Sequence, residues 1–331
     1  MTRFDVVTLG ETMLRLTPAN YRRLEQASAL DIEVGGTESN MAIGLARLGL
    51  KAVWLSRLTD NPMGRLIAGA LAAQGVDTSH VVWTDDDRVG VLFFEIGKAP
   101  RGSRVIYDRQ GSAVSRMRPE ELPRELFQAD SARLFHTTGV TLALTPALTD
   151  TAHHALRLAK AAGWLVSFDV NYRRTLWSPA AAREGCDAHA KAADILFIPQ
   201  GDACDLYEFD PRAPAEHMIE ALAESYPQAT IALTMGAEGA LGREPGGEIV
   251  RQAAFPAEEV DRLGGGDAFA AGFLYGYLNT SDGCHRLTTA LQWGAATAAL
   301  KYTIPGDAPL IERREVEALL QRGHGGHSIQ R

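Results

Sequence analysis

The 331-residue chain is 46% hydrophobic and 22% charged, the composition of a globular protein rather than a disordered one. A net charge of −8 excludes a broad basic surface for nucleic acid or an anionic membrane, although local arginine clusters can still hold an anion. The length passes the ~250–300 residues at which one core stops growing, so one large domain with an appendage, or two domains, is expected.

Three scattered cysteines, Cys186, Cys204 and Cys284, form no disulfide framework and suit a reducing cytoplasm. No apolar run reaches the ~18–20 residues of a membrane span. The start, Met1 to Gly10, leads into a strand pattern with no basic leader. A soluble cytoplasmic protein is expected.

In chain order, the β-branched run Asp5 to Gly10 predicts a buried strand, and Met13 to Leu16 a short second one. Asp31 to Val34 reads as a half-exposed strand. Gly35-Gly36-Thr37-Glu38-Ser39-Asn40 then leads into an apolar helix from Met41 to Leu48, stopped by Gly49. Val53 to Leu58 predicts one strand, and Pro62 to Gln74 a helix. Gly90 to Ile96 and Arg104 to Tyr107 lack a helix between them and predict antiparallel pairing.

From Leu134 the alternation is regular. Strands are expected at Leu134–His136, Trp164–Val170, Ile195–Ile198 and Thr230–Thr234. Helices are expected after Thr145-Pro146 and Ser178-Pro179, each a cap followed by proline at the first turn, and at Ala215 to Ser225. Leu241 to Gln252 reads as a hairpin, and helices follow at Arg286–Tyr302 and Glu312–Arg322. Such alternation implies an α/β fold with a mainly parallel sheet covered on both faces. Segments 12–34 and 88–112 break the pattern and predict a small separate sheet, a lid. Residues 323–331, with His324 and His327, read as an unstructured tail rather than a metal site.

The stretch Asp261-Arg-Leu-Gly264-Gly265-Gly266-Asp267 opens a segment, Ala268 to Leu278, that is apolar all round. Such a helix must be surrounded by protein. Its glycines would bring bare N–H groups to the positive helix end, an anion site. Asp267 reads either as an N-cap or as a carboxylate beside a bound phosphate. Neither glycine stretch fits a Walker A loop or the dinucleotide spacing. Tyr107-Asp108-Arg109 and Asn171-Tyr172-Arg173-Arg174 supply arginines, the second run at a strand's carboxyl end, where open α/β sheets bind ligands. Arginine can grip a carboxylate with two parallel hydrogen bonds. Glu11 and Asp60 also follow strands and read as loop caps.

Gly35-Gly36 with Asn40, Asp60-Asn-Pro-Met-Gly64, Thr234-Met-Gly-Ala-Glu-Gly239 and Asp261…Gly264-Gly265-Gly266-Asp267 resemble, in order and over nearly the whole chain, the PfkB (ribokinase-like) carbohydrate kinases. Val34 to Asn40, Tyr107 to Ser112 and Asp169 to Pro179 are most similar to the 2-keto-3-deoxygluconate kinases. The resemblance implies a single ribokinase-like three-layer α/β/α domain with a β-sheet lid, ATP and Mg²⁺ as requirements, and room for a monovalent cation; a homodimer through the lid is expected because a small sheet with one apolar face needs a cover. The resemblance also implies Asp267 as general base and an anion hole at Gly264, Gly265 and Gly266. Gly36, Asn40, Tyr107, Arg109 and Arg173 would line the sugar-acid site. Asn171, Thr234, Gly236 and Gly239 would meet the nucleotide, with Asp202 reaching the metal through water.

Departures from the family pattern are Gly265 in place of alanine, Arg262-Leu263 before the glycines, Pro199-Gln-Gly-Asp202 in place of Asn-x-x-Glu, and Leu92 and Asp108 where tyrosines are common. An acid at Asp108 is expected to weaken the pull of Arg109. The other readings are a kinase of neutral sugars or nucleosides on the same fold, a non-catalytic sugar-acid sensor, and, more distantly, a dehydrogenase.

Overall fold

The computed structural model describes residues 3–281 and 283–323. The predicted tail, apart from Gly323, lies outside the described residues. Strand β1 (Val6–Leu9) opens the chain, followed by β2 (Met13–Thr17), β3 (Asp31–Gly35), α1 (Thr37–Arg47), β4 (Ala52–Leu55), β5 (Arg57–Thr59) and α2 (Pro62–Ala73). Four strands, β6 (Val82–Thr84), β7 (Val91–Glu95), β8 (Arg104–Asp108) and β9 (Leu134–Thr138), precede α3 (Gly139–Leu144) and α4 (Pro146–Ala161). Then come β10 (Leu165–Asp169), α5 (Pro179–Ala192), β11 (Ile195–Pro199), α6 (Gln200–Tyr207), α7 (Ala215–Ser225) and β12 (Thr230–Thr234). The hairpin β13 (Ala240–Arg243) and β14 (Ile249–Gln252) leads to α8 (Gly265–Asn279), α9 (Gly283–Tyr302) and α10 (Arg313–Arg322).

The large sheet runs β14-β13-β12-β11-β10-β9-β1-β4, parallel from β12 to β4 and antiparallel at β13 and β14. Its strands are apolar on both faces because both are covered. Val7, Leu9, Phe135, Phe168, Leu196 and Leu233 join one core with residues of α4, α5 and α7. Val6, Trp54, Leu134, Phe197 and Ala232 join the other with α1, α2, α8, α9 and α10. Strand order reverses at β1, flanked by β4 and β9, which opens a crevice at the carboxyl ends of β1 and β9.

Side-chain caps start the peripheral helices. Asn61 accepts from Met63 N and Gly64 N (2.9 and 3.1 Å) ahead of Pro62. Thr145 accepts from Leu148 N at 3.2 Å and Ser178 from Ala181 N at 3.3 Å. Each satisfies an amide that has no partner in its own helix.

The segments that break the α/β alternation form the expected separate sheet, β3-β2-β7-β8, with Met13, Leu92 and Phe94 as its buried centre. The antiparallel pairing of β7 and β8 is as predicted.

Three local expectations are corrected. Val53 to Leu58 is two strands, because the Ser56 hydroxyl donates to Gly10 O (2.8 Å) and its carbonyl accepts from Val82 N (3.0 Å), which carries β5 into a two-stranded sheet with β6. The short helices α3 and α6 carry no periodic signature in so few residues. Asp267 is not the N-cap of α8; Gly264 is, in left-handed backbone (φ 76°), and Asp267 lies inside the first turn.

Candidate active site

The amino end of α8 separates two cavities. The first is lined by Gly36, Asn40, Tyr107, Arg109, Arg173 and Asp267, all six residues expected at the sugar and its base. The second is lined by Thr234, Gly236 and Gly239, together with Gly265 and Gly266. Gly264 faces the first cavity, so the glycine run forms the wall between them.

The first residues of α1 are buried because Glu38 anchors them. Its carboxylate, fully out of water, accepts from Thr138 N (3.2 Å) and Thr138 Oγ1 (2.8 Å) at the end of β9 and from Thr141 Oγ1 (2.6 Å) in α3. Burial pushes its pKa up, while the threonine hydroxyls pull the other way. This anchorage fixes Asn40, two residues later in the same turn. Asn40 Nδ2 donates to Asp267 Oδ2 at 2.7 Å.

Asp267 is 8% exposed, and burial raises its pKa to about 7, against the opposing pull of Asn40 and then of Arg173. A carboxylate so placed holds or releases a proton near neutrality, the range in which a base exchanges protons best.

One glycine of the run is required by contact, and a second is closely packed. A Cβ on Gly264 would meet Asp307 O at 1.9 Å, and the positive φ adds strain. A Cβ on Gly265 would meet the Tyr302 ring at 2.7 Å. At Gly265 an alanine would need the Tyr302 ring, which also lines the second cavity, to shift. Around Gly266 there is open space.

The arginines differ in what holds them. Arg109 Nε donates to Glu11 Oε2 at 2.7 Å, and its Nη2 pairs with the same oxygen. Asp108, the acid expected to offset Arg109, instead pairs with Arg88 (2.7 Å). The offsetting acid is Glu11, which the sequence suggested only as a loop cap. It lies just beyond the carboxyl end of β1, on the crevice at the strand reversal, and that position was the available signal. Arg173 donates to its neighbour Tyr172 O (3.1 Å) and lines the cavity; among the described residues it forms no ion pair, and its charge acts at longer range on Asp267, Asp169 and Asp202. Arg174 pairs outside with Asp205. Leu92 occupies the cavity wall as an apolar surface.

Asn171 lines neither cavity. It has φ 40°, and its N and Nδ2 donate to Asp169 at 3.0 and 3.1 Å, leaving buried Oδ1 with no protein partner. Asp202, in the first turn of α6, accepts from Tyr172 N at 2.8 Å. Burial raises the pKa of Asp169 to about 7, helped by Asp202 and Asp267, and that of Asp202 to about 6. These carboxylates interact with one another across the site. The residues that sequence reasoning missed, Glu11, Asp307 and Tyr302, reach the cavities from distant parts of the chain.

The profile of the pfkB family of carbohydrate kinases matches residues 3–313. The chain belongs to that family. This pfkB-family kinase is 40% identical over 322 residues to the 2-dehydro-3-deoxygalactonokinase of Haloferax volcanii, covering 97% of the chain and 98% of that protein. It is 32% identical to the 2-dehydro-3-deoxygluconokinase of Bacillus subtilis over 95% of the chain and 94% of that protein. The crystal structure of 2-dehydro-3-deoxygluconokinase from Thermotoga maritima superposes with a TM-score of 0.87 at 32% identity, covering 96% of the chain and 98% of that structure. The ribokinase-like α/β fold expected from the sequence is the one observed, and the protein is a carbohydrate kinase. No helix among the described residues is long and apolar enough to cross a membrane.

Proposed function

We propose that this kinase transfers the γ-phosphoryl group of ATP to the terminal hydroxyl of a 2-keto-3-deoxy sugar acid, of the gluconate or galactonate type. One observation carries the reading: the buried carboxylate of Asp267, steadied by Asn40, shares a cavity with Arg173, an arginine in no ion pair among the described residues. A base and a carboxylate receptor in one cavity suit a substrate with a hydroxyl at one end and an acid at the other. The names of the relatives point to the same substrate class.

In this mechanism Asp267 takes the proton of the attacking hydroxyl. The amides at the start of α8, from Gly264 to Asp267, receive the negative charge of the transferring group, aided by the helix dipole. Arg173 and Arg109 orient the acid so that the hydroxyl faces Asp267, and alignment is what phosphoryl transfer chiefly demands. Glu11 keeps Arg109 partly neutralised, leaving Arg173 as the main carboxylate receptor. The adenine and ribose would occupy the cavity of Thr234, Gly236 and Gly239.

Among the described residues no three His, Cys, Asp or Glu side chains converge as a metal cage. The unpartnered Oδ1 of Asn171 and the carboxylates of Asp169 and Asp202 are hard oxygen donors. They fit Mg²⁺ held through water and substrate phosphates rather than by an all-protein site. When bound there, the ion would neutralise phosphate charge. We further infer a dimer through the small sheet, whose Ile32 and Ile106 are exposed at 54% and 39%. A monomeric mass by light scattering would overturn it.

An ATP-coupled panel of 2-keto-3-deoxygluconate, 2-keto-3-deoxygalactonate, fructose, ribose and adenosine tests the function. Turnover confined to the keto acids is expected; preference for a neutral sugar or nucleoside would refute the substrate. Stabilisation by a keto acid without ADP release would indicate a sensor instead.

A further inference from the structure

The wall between the cavities rests on a buried charge cluster that the proton and phosphoryl steps do not use. Lys301, on the last turn of α9, has no solvent exposure. Its ammonium donates to two main-chain carbonyls, Asp261 O at 2.9 Å and Ile304 O at 3.3 Å. Asp261 begins the glycine loop. Its carboxylate accepts from Leu263 N (3.1 Å), Gly306 N (3.1 Å) and Arg15 Nη2 (2.6 Å). Val260 N and Asp261 N both donate to Tyr302 O (2.8 and 3.3 Å). Asp307 pairs with Arg15, and its carbonyl fills the space beside Gly264. Segment 301–307 is thus the template on which loop 260–266 is laid.

A buried ammonium is costly unless oxygens replace its water. Here burial pulls the Lys301 pKa down, while Asp261 and Asp307 push it back and Arg15 opposes them. Carbonyl oxygens converging on a dehydrated positive charge are also how a main chain holds a free monovalent ion. A free ion bound under this loop would need the carbonyls that the ammonium already engages, so the residues present do not fit one there.

We propose that Lys301 is the internal cation of the glycine loop: its tethered ammonium on Asp261 O and Ile304 O holds the anion hole in place, and the enzyme needs no free monovalent cation. Lys301 is a positioning residue, since it touches neither cavity. The proposal deepens the kinase reading above and rests on it for its kinetic arm.

The test compares KCl, NaCl and tetramethylammonium chloride at equal ionic strength. Wild-type kcat and Tm should be the same in all three. Lys301→Ala removes the charge together with its stem and leaves space for a small ion beside Asp261 O and Ile304 O. Its kcat should fall about 10²-fold, the order expected when reacting groups are displaced by about 1 Å. Ammonium or potassium, but not tetramethylammonium, should restore part of that kcat and raise the variant's Tm, with the KM for the sugar acid little changed. Wild-type activity or Tm that rises severalfold or by several degrees with potassium would overturn the proposal. So would a folded variant with normal turnover, or one whose loss no small cation repairs. If Lys301→Ala does not fold, the wild-type comparison decides. If wild type phosphorylates no keto acid, the substrate reading fails, while the Tm comparison, made without substrate, still judges the tethered cation.

Discussion

Asp267→Asn separates catalysis from folding, and its two effects should have opposite signs. The carboxyl is buried, and its pKa stands at about 7 rather than 3.8. Between those values the folded protein binds a proton that the unfolded chain has released, so stability falls as pH rises through this window and the penalty is complete above about 7. Three pH units at about 1.36 kcal/mol each give a penalty of order 4 kcal/mol at pH 8. Asparagine carries no such charge, and its amide oxygen can still accept from Asn40. The variant should therefore unfold several degrees above wild type at pH 8 and near it at pH 4. Its turnover should fall by about 10²–10⁴-fold, the usual worth of a positioned base, or roughly 2.7–5.5 kcal/mol of barrier. Thermal unfolding at the two pH values and an ADP-release assay measure both effects. Turnover within tenfold of wild type would refute the base, and a variant less stable than wild type at pH 8 would refute the cost assigned to its charge.

The same group predicts that kcat/KM rises with pH through about 7, because the base must be ionised in the free enzyme; a flat profile between pH 6 and 8 would count against it. Arg173→Ala should raise KM for keto acids by about tenfold or more, since a charge-assisted contact is worth roughly 1.5–3 kcal/mol, while leaving residual activity on neutral sugars unaltered; equal losses on both would remove the carboxylate role. Gly264→Ala and Gly266→Ala should differ sharply. The first meets Asp307 O at 1.9 Å in left-handed backbone and should cost both stability and kcat, whereas the second enters open space and should fold normally. Differential scanning calorimetry beside steady-state kinetics distinguishes them, and equal Tm losses would show that the loop is not held against Asp307.

The regular α/β alternation from Leu134 onward was legible because buried parallel strands are short apolar runs and Thr145-Pro146 and Ser178-Pro179 are local start signals. The small sheet was legible from the missing crossover helix between β7 and β8 and from the break in alternation near β2 and β3. The break at Ser56 was not, since it depends on a hydroxyl bond to Gly10 O, 46 residues away. Asn40, Arg173, Asp267 and the glycines, proposed for the site, could be named because the family resemblance and the place of Arg173 after a strand are carried by neighbouring residues.

Sequence by itself determined the layered sheet, the two glycine turns at helix starts and the residue types of a phosphotransferase, because each is written in neighbouring residues. Only the tertiary structure decided their partnerships. It paired Arg109 with Glu11 and left Asp108 to Arg88, put the Tyr302 ring against Gly265, and buried Lys301 under Asp261. Burial and charge pairing depend on which distant segments meet, and a group's proton affinity follows from that meeting. For this reason Asp267 could be named from its motif, but its pKa of about 7 follows only from the packing that removes it from water.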